Sequence, residues 1–527
     1  MIRGILFCAA VVFAVECLWQ TIGNVASRIC LQAPDFDISD YREIGRSIPA
    51  SSDVALLGFD MPSLDSCERT SVIRLNWEIS PRVVKSVDFD SVDSWKGAIV
   101  SKPLSQDAVE EMRDLGYMLT VMNNSAQLFL RDSSIIEHDG KRDDNRQRVP
   151  AYLSVVLVAA LTILIWLWGR GWRMPRLDQL WISIAVLLVL LVTGGFGALD
   201  APNGLGVYGG KAKLMYLFGG VPSGFWSEAE YAVFQPLYPP LMTLVALLSF
   251  VLGGVDDYAL QIYVPVVLSL LYLELTHHAP KDTWRRWLGL VLAAVIVVSP
   301  EMVWLAHGFY AEPLAMLLIV CGWNSIFEGR NVRGWLCLGL SALARPEGLL
   351  VAVISWGFSL ATGVVNCREG RDVVRSACLA ALPGAVWLLA TSALGAHLQD
   401  YDFFRIPEYY RFCDARLAVV KALISDFSDN GGVFVVSLGL ALAVAASYSR
   451  MSEREKRATC LNLKPNLAAS MTAVTALFAG VCLISFSTCQ DIGWLYEMTL
   501  PRYALLSMMP FLAASVHAWG SVRPSNS

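Results

Sequence analysis

Span-length apolar runs recur along this chain, separated by short basic connections. "YLSVVLVAALTILIWLW", "LGLVLAAVIVVSPEMVWLA" and "AALPGAVWLLATSAL" are examples of stretches suited to hydrocarbon. Backbone amides in lipid must be satisfied within their own segment, so such runs form helices rather than open strands. Composition agrees. The 527 residues are 55% hydrophobic and 17% charged, where soluble proteins carry about a quarter charged. Mean hydropathy is +0.49. No basic stripe is interleaved with aromatics, which removes nucleic acid as a partner. The fold class expected is a polytopic α-helical membrane protein.

Lysine and arginine placement sets orientation. The basic connections are "RGWRMPR" (170–176), "HHAPKDTWRRW" (277–287), "EGRNVRGW" (328–335), "NCREGRDVVR" (366–375) and "SRMSEREKR" (449–457). With all five inside, about 12 spans alternate without contradiction. They fall near 4–21, 151–169, 178–197, 257–275, 287–305, 312–327, 333–345, 348–363, 377–395, 432–448, 468–487 and 499–518. Both termini are then inside. The apolar stretch 241–253 is not a crossing in this scheme. It is a juxtamembrane helix in a large outer loop, 198–256, and the prolines of "YPPL" make the corner that precedes it. Residues 1–28 read as an uncleaved anchor, because the run after Arg3 is long for a signal region and lacks a small-x-small cleavage site.

Residues 29–148 differ in character: charged, mixed and without a span-length run. "DVALLGF", "RVVKSVDF" and "GAIVSK" read as short buried strands, and "DYREIGRSI" and "SQDAVEEMRDLG" have helical spacing. Their alternation predicts an extracytoplasmic α/β domain with a partly parallel sheet, ahead of a membrane part at 149–527. Cys30 and Cys67 share that outer segment, and Cys413 and Cys489 lie in two outer loops. Each pair suits either a disulfide in an oxidising compartment or two unpaired small hydrophobes.

Unusual polar residues collect at the outer span ends. Ionisable groups at membrane depth are costly and tend to face a functional cavity. Asp200 closes the span 178–197; "KAK" (211–213) and "YPPL" (238–241) follow; Glu312 stands before a proline in "YAEPL"; Arg345 and Glu347 sit in "LARPEGLL"; Asp491, Trp494 and Arg502 come from "DIGWLYEMTLPR". Taken alone, Asp200 also suits a helix cap, Lys211 and Lys213 suit headgroup anchors, and Arg345 with Glu347 suits a structural ion pair.

The ordered set, over about 178–520, resembles the bacterial GT-C glycosyltransferases, relatives of protein mannosyltransferases and aminoarabinose transferases that use polyprenyl-phosphate sugars. Two features depart from that pattern: "APNGLGVYGG" lengthens the interval before "KAK", and the soluble segment is N-terminal. The resemblance implies a GT-C-like fold and inverting transfer from a polyprenyl-phosphate sugar to a lipid, glycan or protein acceptor. The reaction is expected at the outer face of a bacterial cytoplasmic membrane. Asp200 matches the family's proposed base, and Glu312 its second outer-loop acid, where some members bind a metal. No metal is expected to be obligatory, and a divalent ion is compatible. Lys211, Lys213, Arg345 and Arg502 are the candidates to hold the donor phosphate; Tyr238, Glu347, Asp491 and Trp494 are the candidates to contact substrate. The competing class is a lipid-linked glycan flippase or transporter. An internal repeat of spans would mark it, and none is visible.

Overall fold

The protein is described by a computed structural model over residues 54–57, 84–87, 98–101, 104–114, 118–122, 127–130, 144–170, 174–194, 203–222, 225–226, 236, 238–280, 283–365, 369–394, 464–487 and 500–521. The expected spans 4–21 and 432–448 lie outside these residues, as do both candidate cysteine pairs.

The N-terminal part contributes β1 (Val54–Leu57), β2 (Val84–Val87), β3 (Ala98–Ser101), β4 (Met118–Met122) and β5 (Gln127–Leu130), with α1 (Gln106–Asp114) between β3 and β4. The strands form one sheet in the order β2-β1-β3-β5-β4. β1 pairs parallel with β2 and β3, whereas β5 is antiparallel to both β3 and β4. Ser105 opens α1, its Oγ accepting from Ala108 N at 3.3 Å. The sheet is thus partly parallel, as the alternation of strand and helix patterns implies.

The rest is helical. α2 (Asp144–Gly169), α3 (Leu177–Gly194), a π-helix (Asn203–Gly210), α4 (Lys211–Leu217) and α5 (Leu241–Gly253) come first. α6 (Asp257–Leu260), α7 (Tyr263–Leu275), α8 (Thr283–Val297), α9 (Pro300–His307) and α10 (Glu312–Phe327) follow. α11 (Asn331–Ala344), α12 (Pro346–Ala361), α13 (Gly370–Ala393), α14 (Lys464–Ser487) and α15 (Leu500–Ser521) complete the described chain. Among the described residues, Ala151–Gly169 and Gly370–Ala393 are long and apolar enough to cross a membrane. Seven further apolar helices are shorter.

Sequence chemistry explains the breaks. The pattern 287–305 reads as one span, but the chain divides it between α8 and α9. Pro300 cannot donate to a helical ladder and forces Ser299 into an extended conformation (φ −60°, ψ 155°). Residues 257–275 likewise divide into α6 and α7, with Asp256 capping α6 through Ala259 N at 3.1 Å. The Tyr-Pro-Pro corner delivers α5, which packs along α2 and α4, buries Met242, Ala246 and Phe250 and leaves Leu244, Leu248, Val251 and Leu252 exposed.

The core centres on α7 and α10, which pack on each other and are buried along nearly their whole length. α11 lies closely on α10. A Cβ at Gly334 would stand 2.9 Å from Gly322 O and 2.5 Å from Ile326, and one at Gly322 would stand 3.1 Å from Gly334 O. The two glycines set the helix separation. α12 and α13 pack on α11, and α14 and α15 close the bundle against α12 and α10.

Candidate functional site

Four segments converge on Arg345. The first reason is local: Arg345 precedes Pro346, which excludes the α conformation, so Arg345 is extended (φ −141°, ψ 141°) between α11 and α12. The break turns its side chain sideways into the bundle, where it is buried. Glu347, in the first turn of α12, accepts from Arg345 Nη2 at 2.8 Å. Glu312, the first residue of α10, lies 3.5 Å from the same nitrogen and is buried to 1% exposure. Both carboxylates occupy helix N-termini, whose dipoles favour negative charge.

The remaining members come from the loop region. Tyr208, in the π-helix, receives Arg345 Nη1 on its hydroxyl at 3.5 Å. Tyr238, from the Tyr-Pro-Pro corner, presents its ring to the guanidinium, 5.3 Å from its centroid, and meets the Tyr208 ring edge-on at 6.3 Å. Lys211 begins α4, fully enclosed, and donates from Nζ to Tyr238 O at 3.0 Å. Burial draws the Lys211 amine down to about 7. Burial likewise raises the Tyr208 hydroxyl well above its usual range, with Arg345 opposing and Glu312 assisting. The π-helix seats against the turn before Glu312, where a Cβ at Gly204 would meet Gly308 O at 2.2 Å. Phe309, in that turn, holds φ +51° although fully buried. π-helical turns and strained buried residues gather at functional sites.

Arg345 Nε and Glu347 Oε2, both shielded from solvent, have no hydrogen-bond partner among the described residues. One is a donor and the other an acceptor. An almost wholly apolar groove of about 490 Å³ is lined by Pro240, Leu343, Leu379, Pro383, Val386 and Trp387 among others. It begins two residues from Tyr238 and two from Arg345. Trp226 packs edge-on against Trp387 at 5.9 Å.

Of the residues singled out in the sequence, Lys211, Tyr238, Glu312, Arg345 and Glu347 are therefore brought together. Lys213 lies two residues beyond Lys211 on α4, partly buried. Asp200, Asp491 and Trp494 fall outside the described residues, and Arg502 lies in α15 with its side chain outside them. Tyr208 was not foreseen. Its one signal is an aromatic residue inside a glycine-rich stretch.

A second polar cluster stands at the other end of α10, about 24 Å away for a helix of this length. Glu274 accepts from Trp166 Nε1 and Asn324 Nδ2, both at 2.8 Å, and pairs with Arg170 at 3.5 Å. His277 Nε2 meets Glu328 Oε1 at 2.7 Å. His278 lies edge-on between the His277 and His517 rings, at 4.6 and 4.8 Å. Three inside loops expected from the sequence thus meet in one place, with His517 from the last span. A histidine pair in a basic loop carries no local sign of that meeting.

No family model matches this chain. No curated protein matches it. Among solved structures it is similar to a crystal structure of ArnT from Cupriavidus metallidurans bound to undecaprenyl phosphate, at 14% identity and a TM-score of 0.32, covering 65% of this chain and 76% of that one.

Proposed function

We propose that the protein is an integral membrane glycosyltransferase that moves a sugar from polyprenyl phosphate to an acceptor at the outer face of the cytoplasmic membrane. One observation carries the reading: a buried donor and a buried acceptor, Arg345 Nε and Glu347 Oε2, lack hydrogen-bond partners among the described residues. Each such atom costs about 1–3 kcal/mol until a ligand satisfies it. A phosphate oxygen suits Arg345 Nε, a sugar hydroxyl suits Glu347 Oε2, and a polyprenyl tail suits the groove. The ordered motifs of the sequence support the same assignment.

In this reading the acceptor's oxygen or nitrogen lone pair attacks the anomeric carbon. The bond from that carbon to the phosphate oxygen breaks, and polyprenyl phosphate leaves with the electron pair. Asp200 takes the acceptor's proton, with Glu312 as the second acid. Arg345 and Arg502 meet the charge growing on the leaving phosphate, with Lys213 nearby in sequence. Lys211 joins them only when protonated, and its bond to Tyr238 O also fixes the aromatic wall. Asp491 and Trp494 complete the substrate contacts. Glu312 and Glu347 already direct their charge at the guanidinium, so the reading assigns no obligatory metal.

Reconstituted protein supplied with a labelled polyprenyl-phosphate sugar should release free polyprenyl phosphate as the sugar is transferred. Asp200→Asn keeps the shape of the side chain and removes its basicity. It should lower turnover about 10²-fold or more, the scale of general-base catalysis, while donor binding survives. Arg345→Met should lose donor binding instead. Label that crosses the bilayer with its sugar–phosphate bond intact would replace this reading with a flippase.

A further inference from the structure

The cluster at the far end of α10 takes no part in the transfer proposed above, yet its chemistry is that of a ligand site. His277, His278 and Glu328 each offer one donor atom, and the three atoms lie within 4.8 Å of one another. His278 Nε2 is shielded from solvent and has no hydrogen-bond partner among the described residues. The His517 ring closes a fourth side, edge-on to His278 at 4.8 Å and stacked on Phe327 at 4.4 Å. We propose that His277, His278 and Glu328 bind a divalent cation of the zinc class, tying the loop after α7 to the C-terminal end of α10.

The donor set argues for that class. Two imidazoles and one carboxylate match borderline cations such as zinc, cobalt and nickel; magnesium and calcium prefer oxygen alone. In a tetrahedral zinc site with bonds of about 2.1 Å, donors stand about 3.4 Å apart. The group therefore closes by up to about 1.4 Å, within the reach of rotamer changes on a loop and a helix end. Three protein ligands leave a fourth position for water.

Arg170 is the competitor. Its Nη2 meets His277 Nδ1. A guanidinium only donates, so Nδ1 accepts and Nε2 carries the proton that faces Glu328. A cation at Nε2 needs the opposite tautomer, with the proton on Nδ1 and none on Nε2. Loading thus shifts one proton within the ring and moves Arg170 off His277. Its destination is present: Glu274 Oε1 already stands 3.5 Å from Arg170 Nη1. Arg330, which pairs with Glu328 Oε2 at 3.2 Å, leaves Oε1 as the ligand atom.

The test is cobalt and zinc titration of the purified full-length protein in detergent, read by calorimetry and by cobalt d–d absorption. One cation per chain is expected, with a cobalt spectrum lacking thiolate charge transfer. His278→Asn and Glu328→Gln, close in shape to the parent residues, should each lose that binding. Arg170→Gln removes the competitor and should tighten it, by roughly the ten- to hundredfold that outer-shell partners command. A parent that binds no cation, or binding that survives both ligand substitutions, overturns the proposal. Should a variant not fold, the parent decides alone: thiolate charge transfer, or more than one equivalent of equal affinity, also overturns it.

Discussion

Lys211 shows what a single buried group does to the energetics of the site. Folding takes its amine out of water, where it donates to Tyr238 O, and burial lowers its pKa from the ordinary 10.5 to about 7. Between those limits the unfolded chain holds a proton that the folded chain has released. Stability therefore rises as pH climbs from about 7 towards 10.5, and the full cost of burying the ammonium is carried below about 7. Lys211→Met should flatten that rise. Thermal unfolding of parent and variant in detergent, followed across this window, reads the difference, and parallel profiles would dismiss it. Arg345 contrasts with Lys211. Its charge is met by two carboxylates, so removing it strands the buried Glu312 and the part-buried Glu347, a class of change that costs about 3–5 kcal/mol. The identity of these residues was legible in the sequence because charges are rare in apolar runs. Their partnership was not, since Glu312 and Arg345 meet through the packing of α10 against α11, which no local pattern encodes.

At the scale of elements, the close contact of α10 and α11 rests on Gly322 and Gly334. Gly334→Val would drive a branched side chain into Gly322 O and Ile326. A cost of about 1–3 kcal/mol is expected, typical of overpacking. Gly357→Ala serves as the control: it faces open space on α12 and should be neutral or slightly stabilising. Equal melting temperatures for the two variants would show that α10 and α11 are not held by this contact. Helix α10 itself was legible to the residue, because Pro313 fixes its start and Gly329 (φ +75°) follows its end. The divisions at Ser299–Pro300 and at 261–262 escaped the hydropathy pattern, which averages across a break that one proline or one cap creates. The π-helix escaped it too: "NGLGVYGG" carries loop composition, and only its seating against the turn at Gly308 makes it helical.

For the whole molecule, the question is sidedness. The two polar clusters sit at opposite ends of α10, and basic loops mark one of those ends as inner. In the proposed arrangement Val221, 49% exposed after α4, is at the outer end, and Val332, 43% exposed at the start of α11, at the inner. Cysteines placed at each should react with an impermeant maleimide from opposite sides of sealed cells. Labelling of 332 and protection of 221 in intact cells would invert the arrangement and move the proposed chemistry to the cytoplasm.

Helix α10 has one more consequence, for the membrane around the protein. At 16 residues it is about 24 Å long, and α7, with 13, is shorter still. Hydrocarbon is about 30 Å thick. Those two helices are buried in the bundle, but α8, with 15 residues, and α12, with 16, are as short and expose Trp287, Val291 and Val353. Lipids around such short outer rods compress towards them, at a fraction of a kcal/mol per ångström. Turnover in vesicles should therefore be higher with acyl chains of roughly 14 carbons than with roughly 22. A flat response to chain length would mean that α2, α13 and the flanking residues carry the boundary, leaving the short helices screened from lipid. Otherwise the protein acts as a local thinning agent, and the long-tailed donor proposed for it would reach Arg345 through a shallower bilayer than the one it diffused in from.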